Sequence, residues 1–465
     1  MAQKNTYRFI VKYVVTAICT QPLHVGNAVG EKEQVLVHPV SRLPFVQASS
    51  IVGVFREYCE NTKGKKVCEE LFGYERLQAG SNAFELQSKL RMEDGIILKD
   101  KNEDAKGLQM ELRPHVSIDD ATGTCKSQEV QGSNVKAGNK FNMEYIGAGT
   151  KIKFSMYLYE EDLDSVVREI LSAMNGDTIQ FGGKKSNGCG YMKVEKLLYK
   201  KFDMTKKNDR TCWYREDSLR ESEYEDITKT LKFNHDDIYA YRIAVKAKTE
   251  NQLLVKSLVV SDYGKDAPKA VNIQNAKDEY IIPGSSFKGA IRSQMTKIAG
   301  FLQQKGILTE DVIGNTFGMK GKDYSENKVG NIRFFDTVVG NKEENDKAEL
   351  SHRIHIDKFT GGVMNGSLFS EKNISGQMNF SIGILNKNNP EQSCAVLLYA
   401  LRDLAVGMMS VGSGYSIGKG YVNVDKIEIQ RADKKTAVID ITNGSVQDSD
   451  HVIANCFLAM NRKEC

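Results

Sequence analysis

Residues 45–56 read FVQASSIVGVFR, and residues 281–292 read IIPGSSFKGAIR. Each stretch predicts a helix that opens with a Ser-Ser N-cap pair and carries apolar residues at helical spacing. Residues 181–194 (FGGKKSNGCGYMKV) and 411–424 (VGSGYSIGKGYVNV) form a second matching pair. The members of the two pairs lie 236 and 230 residues apart, so their order and spacing are both kept. This self-similarity predicts a tandem duplication.

Weaker matches extend the duplication over most of the chain. Asp94 corresponds to Asp336, and VSIDDATG at 116–123 corresponds to IHIDKFTG at 354–361. We therefore predict a first domain over residues 1–202, a charged linker over 203–237, a second domain over 238–430 and a C-terminal tail over 431–465.

Both copies have the same predicted order of elements: a strand, a long loop, a helix, several strands, a second helix, the glycine-rich loop and a last strand. This order is that of the β-α-β-β-α-β fold, and it predicts an α+β protein with two tandem ferredoxin-like or RRM-like cores. About 100 residues separate the two helices of each copy, which is too many for two bare strands. We expect a hairpin insertion to project from each core.

Composition narrows the class of protein. The 465 residues, of which 40% are hydrophobic, are enough for two or three folded domains and exclude wholesale disorder. A net charge of +4 selects no partner, because a near-neutral total can hide a local basic surface. The apolar stretch from Phe9 to Cys19 is too short to span a membrane, and no signal peptide is evident, so we expect no membrane association.

The cysteines indicate the compartment. All nine are scattered, and no two have C-x-x-C spacing, so the sequence supports neither a zinc site nor a disulfide framework. We expect reduced, mostly buried thiols in a cytoplasmic protein.

The glycine-rich segments do not meet the requirements of a phosphate-binding P-loop. The nearest match, Ser413 to Gly420, lacks the first glycine and the final Ser/Thr, and the following segment is a predicted strand instead of a helix. A loop with few side chains does let a sugar–phosphate backbone approach while ammonium and hydroxyl groups contact it. The alternative is a glycine turn needed only for folding. We predict RNA contacts by Gly182, Gly183, Lys184, Lys185, Ser186, Gly412, Ser413, Tyr415, Ser416 and Lys419.

The two predicted helix starts favour the same function. A helix N-terminus has free N–H groups and a dipole that attracts an anion, and basic side chains follow within the next turns. N-capping alone is the alternative. The RNA contacts predicted here are Ser49, Ser50, Arg56, Ser285, Ser286, Lys288 and Arg292.

Together these motifs resemble the RAMP superfamily, and more narrowly the repeated backbone subunits (seventh Cas family) of type III CRISPR–Cas effector complexes. YIIPGSSFKG at 280–289 resembles that family's Y-I-P-G-S-S-x-K-G with one residue inserted, and LHVG at 23–26 resembles its L-H-I-G. IHIDKFTGG at 354–362 resembles its I-D-R-x-T-G thumb segment. Two fused copies are similar to the tandem proteins of type III-D complexes.

The resemblance implies a function. Each copy would be a palm-like core with a β-hairpin thumb, lying along a CRISPR guide RNA beside further backbone, small and large polymerase-like subunits, and the complementary target RNA would be cleaved at regular intervals. RNA recognition by shape and backbone, with sequence left to base pairing, suits a protein with little net charge. Further RNA contacts are expected at His24, for which a structural role is the alternative, and on the thumb segments at Asp119, Thr122, Arg353 and Thr360.

In the resembling family, one aspartate in the loop after the first strand carries metal-dependent cleavage. Asp266 follows Leu258 by eight residues, so the resemblance implies that Asp266 is catalytic and binds a divalent metal, Mg²⁺ or Mn²⁺. Asp262 is the second choice, because the alignment of this loop with the family's motif admits either aspartate.

The first copy departs from this pattern. Eight residues after Leu23 it has Glu31, followed by Glu33, and no aspartate. A glutamate is also a hard oxygen ligand, but its extra methylene displaces the carboxylate, so the second copy is the better candidate for activity. Two alternatives stay open: a catalytically silent scaffold that binds guide RNA, and a guide-processing endonuclease, which the thumb segments disfavour.

Overall fold

The structure is a computed structural model, and it describes the chain except for residues 1–7, 27–32, 77–83, 99–109, 120–124, 126, 130–135, 139, 233–237, 258–269, 309, 320, 322–326, 349 and 461–465. The chain forms two compact units. The first comprises Met1–Met110, Glu144–Lys185 and Cys189–His235, and the second comprises Glu111–Met143, Ser186–Gly188 and Asp236–Cys465. Two segments of the first repeat, its insertion and the tip of its glycine-rich loop, therefore belong to the second unit.

The first repeat and the segment after it contain, in chain order, β1 (Phe9–Cys19), β2 (Phe45–Val46), α1 (Ala48–Lys63), α2 (Lys65–Phe72), β3 (Tyr74–Arg76), β4 (Phe84–Leu86), β5 (Leu90–Met92), β6 (Gly95–Ile97), β7 (Met110–Val116), β8 (Ser127–Glu129), β9 (Lys136–Gly138), β10 (Lys140–Ile146), β11 (Lys151–Leu158), α3 (Asp164–Asn175), β12 (Met192–Asp203), α4 (Lys207–Tyr214) and β13 (Glu225–Asp226). The main sheet has the order β13-β12-β1-β11-β6-β2, with β5 also paired to β11. Residues of α1 and α3 form a single buried core with one face of this sheet.

The second repeat and the segment after it contain β14 (Tyr239–Thr249), β15 (Ile281–Ile282), α5 (Gly284–Gln304), α6 (Val312–Phe317), β16 (Ile332–Phe334), β17 (Thr337–Val338), α7 (Lys342–Asp346), β18 (Leu350–Arg353), β19 (Phe369–Lys372), β20 (Gln377–Leu385), α8 (Pro390–Ala405), β21 (Val422–Arg431), β22 (Thr436–Asp440), β23 (Ser445–Gln447) and α9 (Val452–Met460). Their main sheet has the order β16-β20-β14-β21-β22-β23. Helices α5 and α8 pack on it in one continuous core.

Both sheets confirm the predicted fold class. Within each repeat, the last, first, third and second core strands lie side by side and antiparallel, which is the ferredoxin-like order. The expected insertions are strand pairs, β7 with β10 in the first repeat and the antiparallel pair β18 and β19 in the second. Six of the eight cysteines that the structure describes are buried, as expected. In the described part of the chain, no helix has the length and apolar character needed to cross a membrane.

The segment predicted as a linker packs on the outer face of the first sheet. The Trp213 ring lies 5.7 Å from the ring of Tyr157 and 5.3 Å from that of Phe202. Glu216 forms an ion pair with Lys12, a lysine buried in the middle of β1. Burial by itself would lower the pKa of Lys12, but the hydrogen bond to Glu216 and nearby negative charge raise it. The segment is thus a cover for the sheet.

The segment predicted as a tail continues the second sheet. β22 pairs with β21, and β23 pairs with β22. Helix α9 packs against α8 and contributes the buried side chains of Val452, Cys456 and Met460 to the core.

Replacing Glu216 by glutamine should lower the free energy of unfolding of the first unit by about 1–3 kcal/mol, because Lys12 would stay charged and buried without its ion-pair partner. Urea denaturation followed by the fluorescence of Trp213, the single tryptophan, reports on this site directly. Asp217→Asn, at the exposed neighbouring position, is the control and should change stability by less than about 0.5 kcal/mol. Equal midpoints for the two variants would contradict a stabilising role of the ion pair.

Candidate nucleic-acid interface

The two glycine-rich loops follow the same backbone course. Gly182 and Gly412 have φ values of +68° and +86°, and a Cβ at either position would collide with a carbonyl oxygen, that of His24 or Leu254. The next residue of each loop donates its N–H to the same carbonyl over 2.8 Å. The first glycine is therefore required by the close approach of the loop to the segment after the first strand.

These contacts correct one pairing made from the sequence. Leu23 forms a two-way backbone bridge to the last residue of β10, and Leu253 forms the equivalent bridge in the second repeat. The counterpart of Leu23 is therefore Leu253 and not Leu258, because the additional residues of the second loop lie after the bridge. The equal eight-residue spacing that favoured Asp266 does not hold.

His24 is buried beside the first loop. Its Nδ1 lies 2.8 Å from the carbonyl oxygen of Glu144, and its ring centroid lies 5.6 Å from that of Tyr145. Its counterpart by contact is Leu254, whose carbonyl oxygen accepts the N–H of Ser413. These contacts give His24 a structural role, which was the alternative to an RNA contact.

The hydroxyl and ammonium groups that were predicted in the first glycine-rich loop differ in whether the protein itself supplies an ion-pair or hydrogen-bond partner nearby. Lys184 is partly exposed, with a φ of +57°, and Lys185 Nζ lies 3.5 Å from the carboxylate of Glu57. Ser186 accepts a hydrogen bond from Lys288 Nζ over 2.6 Å. The structure thus brings together two residues that the sequence assigns to RNA binding from different motifs.

Basic side chains of the first helices lie at the surface. Arg56 of α1 is partly exposed, and Arg292 of α5 is exposed, with its guanidinium 5.8 Å from the ring centroid of Phe317. In the second glycine-rich loop, Tyr415 is 67% exposed and Ser416 is exposed as well.

Lys419 departs from the expectation of a surface ammonium group. It is buried, and its Nζ lies 2.7 Å from Glu371 Oε2 and 2.8 Å from Asn373 Oδ1. Burial by itself would raise the pKa of Glu371, but Lys419 and Arg353 lower it, so this carboxyl group is ionised at neutral pH. The structure gives Lys419 an internal partner in place of the predicted RNA contact.

The predicted Ser-Ser N-caps are wrong. Helices α1 and α5 begin at Ala48 and Gly284, so both serine pairs lie inside the first turn. Asp94 Oδ1 accepts the N–H of Ala48 over 2.7 Å, and Asp336 Oδ1 accepts that of Gly284 over 2.9 Å. A carboxylate at each helix start disfavours a second anion there.

A buried charge cluster lies beside the start of α5 in the second unit. Arg113 Nη2 is 2.7 Å from Asp336 Oδ2, and Arg113 Nε donates to Glu111 Oε2 over 2.7 Å. Glu111 Oε1 in turn accepts the N–H of Ala276 over 3.0 Å. The sequence motifs described above do not include this cluster. Its one sequence signal is the Glu-x-Arg spacing in β7, which places both charges on the same face of a strand.

The thumb segment of the second repeat ends in a tight turn. Asp357 Oδ1 accepts the N–H groups of Thr360 and Phe359 over 2.8 and 2.9 Å, and the Thr360 hydroxyl over 3.0 Å. These hydrogen bonds lower the pKa of Asp357. The I-D-x-x-T-G motif therefore has a folding role, and it presents Phe359, a residue that is 99% exposed. In the first thumb, Asp119 is partly exposed, and Thr122 lies outside the described residues.

Comparison with known proteins identifies the family. The sequence matches the RAMP superfamily over residues 16–193 and 267–423, one region in each repeat. The chain belongs to the RAMP superfamily. No curated protein matches the sequence. Among solved structures, a chain from "Cryo-EM structure of the Type III-B Cmr-beta bound to cognate target RNA" is similar over 42% of this chain and 62% of that chain, with 16% sequence identity and a TM-score of 0.31. The match thus spans less than two thirds of that chain.

The residues predicted to be catalytic lie largely outside the described part of the chain. This applies to Glu31, Asp262 and Asp266. Glu33 is partly exposed, and its carbonyl oxygen accepts the N–H of Glu144 over 2.9 Å. The described residues contain no group of three or more His, Cys, Asp or Glu side chains that could hold a metal ion.

Replacing Gly182 by alanine should lower the stability of the first RAMP unit by more than about 2 kcal/mol, because the new Cβ combines a positive φ with a collision against the His24 carbonyl. Gly183→Ala is the matched control, since its Cβ would meet no atom nearer than 3.6 Å. Thermal unfolding followed by Trp213 fluorescence measures both variants. Equal stability of the two would contradict the close backbone approach.

Proposed function

We propose that this protein is an RNA-binding backbone subunit of a type III CRISPR–Cas effector complex. In this proposal both repeats lie along a CRISPR guide RNA that pairs with target RNA, and further backbone, small and large polymerase-like subunits complete the complex. The observation that carries the proposal is the duplicated glycine-rich loop, which keeps the same backbone course and contact in two RAMP regions.

The chemistry of the described surface is compatible with a sugar–phosphate ligand. Loops with few side chains allow a phosphate backbone to approach, and Lys184, Arg56 and Arg292 supply positive charge near the loops and first helices. Phe359 at the thumb tip offers an exposed ring for stacking on an unpaired base. None of these contacts reads sequence, which base pairing with the guide would supply.

We further propose that the second repeat cleaves target RNA through Asp266, with Asp262 as the second choice. Cleavage by the neighbouring 2′-OH needs a group that accepts its proton and a positive charge near the scissile phosphate. The carboxylate would hold a Mg²⁺ or Mn²⁺ ion, and such an ion supplies that charge. Glu31 and Glu33 make the first repeat the weaker candidate.

A catalytically silent scaffold is the second candidate function. One observation favours it: the counterpart of Leu23 is Leu253, so Asp266 loses the equal spacing that connected it to a catalytic loop position. A silent scaffold would bind the same guide RNA and leave cleavage to other subunits.

RNA bound to the protein should consist of CRISPR guides. Purification of the protein with its neighbouring subunits, followed by sequencing of the bound RNA, should yield guides that share a repeat-derived 5′ tag. Random RNA, or none, would count against both candidate functions.

In the assembled, guide-loaded complex, Asp266→Ala should slow the cuts made by the second repeat by at least about 100-fold, because the proposed metal ligand is lost. Labelled target RNA on a denaturing gel measures each cut separately. EDTA should stop the same cuts, and added Mg²⁺ or Mn²⁺ should restore them. Asp262→Ala tests the second choice in the same loop, and it should retain cleavage if Asp266 is the metal ligand. If neither variant changes any cut, the silent scaffold is the correct function.

A further inference from the structure

Lys419 joins the second glycine-rich loop to the base of the second thumb by two routes. Its Nζ donates to Glu371 Oε2 over 2.7 Å and to Asn373 Oδ1 over 2.8 Å. Glu371 Oε1 accepts from Arg353 Nη2 over 2.6 Å, and Asn373 Nδ2 donates to Ser351 Oγ over 2.9 Å. Ser351 and Arg353 both belong to β18. One ammonium group therefore holds side chains from both strands at the thumb base.

Only one of the three charges reaches solvent. The side chains of Lys419 and Glu371 are 8% and 5% exposed, whereas that of Arg353 is 41% exposed. Lys419 neutralises Glu371, so the net positive charge of the cluster is presented by the Arg353 guanidinium. This group has five N–H donors. Glu371 engages Nη2 and the Nε atom is buried, so a phosphate oxygen suits the donors of the exposed end of the guanidinium.

The first repeat has apolar residues at the two buried positions. Cys189 corresponds to Lys419, because each lies between the last two glycines of its loop. Met143 corresponds to Glu371, because each lies three residues before the isoleucine of the strand-end bridge. Both Cys189 and Met143 are buried. The fold therefore does not need an ion pair at this place.

The two repeats also differ at the exposed position, which Arg353 occupies in the second repeat. The alignment of VSID with IHID places His115 at the position of Arg353. His115 is stacked on Phe141, with ring centroids 5.3 Å apart and an angle of 13° between the planes. The second repeat thus has a supported guanidinium where the first has a ring stack.

We propose that Lys419 is a positioning residue, which acts through Glu371 to hold the Arg353 guanidinium in the orientation that binds an RNA phosphate, a contact made by the second repeat and not by the first. This proposal rests on the proposed RNA-binding function.

The test measures the affinity of the full-length protein for a labelled single-stranded RNA of about 40 nucleotides by fluorescence anisotropy, between about 50 and 200 mM salt. The double substitution Lys419→Met with Glu371→Met copies the apolar character of the first repeat and leaves the net charge of the cluster unchanged. Lost affinity would therefore report orientation and not charge. We expect binding about three- to tenfold weaker, with a salt dependence reduced by about 0.7 in log–log slope, the value for one phosphate contact on a single strand.

Arg353→Gln separates positioning from a general structural effect. It should weaken RNA binding and reduce the salt-dependence slope as much as the double substitution does. Adding Arg353→Gln to the double substitution should cause no further loss of affinity, because Lys419 acts through Arg353. Thermal unfolding checks that each variant is folded at the assay temperature. Additive losses, or a double variant with the affinity and slope of the wild type, would overturn the proposal.

Arg353→Lys is the second variant, for use if the double substitution unfolds the protein. It keeps the charge at a partly exposed position and leaves the buried pair intact. We expect it to bind RNA within about twofold of Arg353→Gln, because an ammonium group cannot use the planar fork that Glu371 orients. Wild-type affinity would overturn the proposal. Wild-type protein that binds no RNA at all would overturn the proposed function itself.

Discussion

The first strand of each repeat is the element on which the other parts depend. β1 lies between β11 and β12, and β14 lies between β20 and β21, with antiparallel pairing along most of each strand. The pairing of the first strand with the last core strand is irregular at the same point in both repeats: Glu195 of β12 is the extra residue opposite Thr16 and Ala17, and Asp425 of β21 is the extra residue opposite Lys246 and Ala247. Such a bulge bends the strand that contains it. In each repeat the chain after the first strand contacts the glycine-rich loop that precedes this last strand, so the candidate RNA-binding surface depends on how the first and last strands pair.

The two repeats place different chemistry on this shared backbone. On the outer face of the first sheet, Lys12 lies opposite Tyr157, and residues of the predicted linker cover both. At the same register in the second sheet, Arg242 lies opposite Gly383, and both line a groove of about 480 Å³. Buried charges therefore differ between the copies even where strand order and loop conformation agree. Duplicated folds can diverge in this way because the backbone pairing constrains side-chain size and charge only weakly on an open sheet face.

The predicted linker illustrates how composition misleads. A segment rich in charged residues has the composition of a solvated connector, because unpaired charges remain in water. Here several of those charges have partners on the first sheet: Glu216 pairs with Lys12, and Glu221 lies 2.5 Å from Lys196. Charge content alone cannot distinguish the two cases, since the partner residues lie far away in the sequence. Likewise, the short strand β22 joins the second sheet by pairing with β21.

The duplication, the order of the elements and hence the α+β ferredoxin-like class were determined by the sequence alone, because hydrophobic periodicity and glycine spacing are local properties. The tertiary structure alone decided that Asp94 and Asp336 cap the helices in place of the serines. It also decided that Lys419 is an internal ion-pair partner and that Leu23 corresponds to Leu253. Each of these outcomes depends on which residues from distant parts of the chain meet. A charged side chain carries no local mark of whether its partner will be water, RNA or a buried carboxylate.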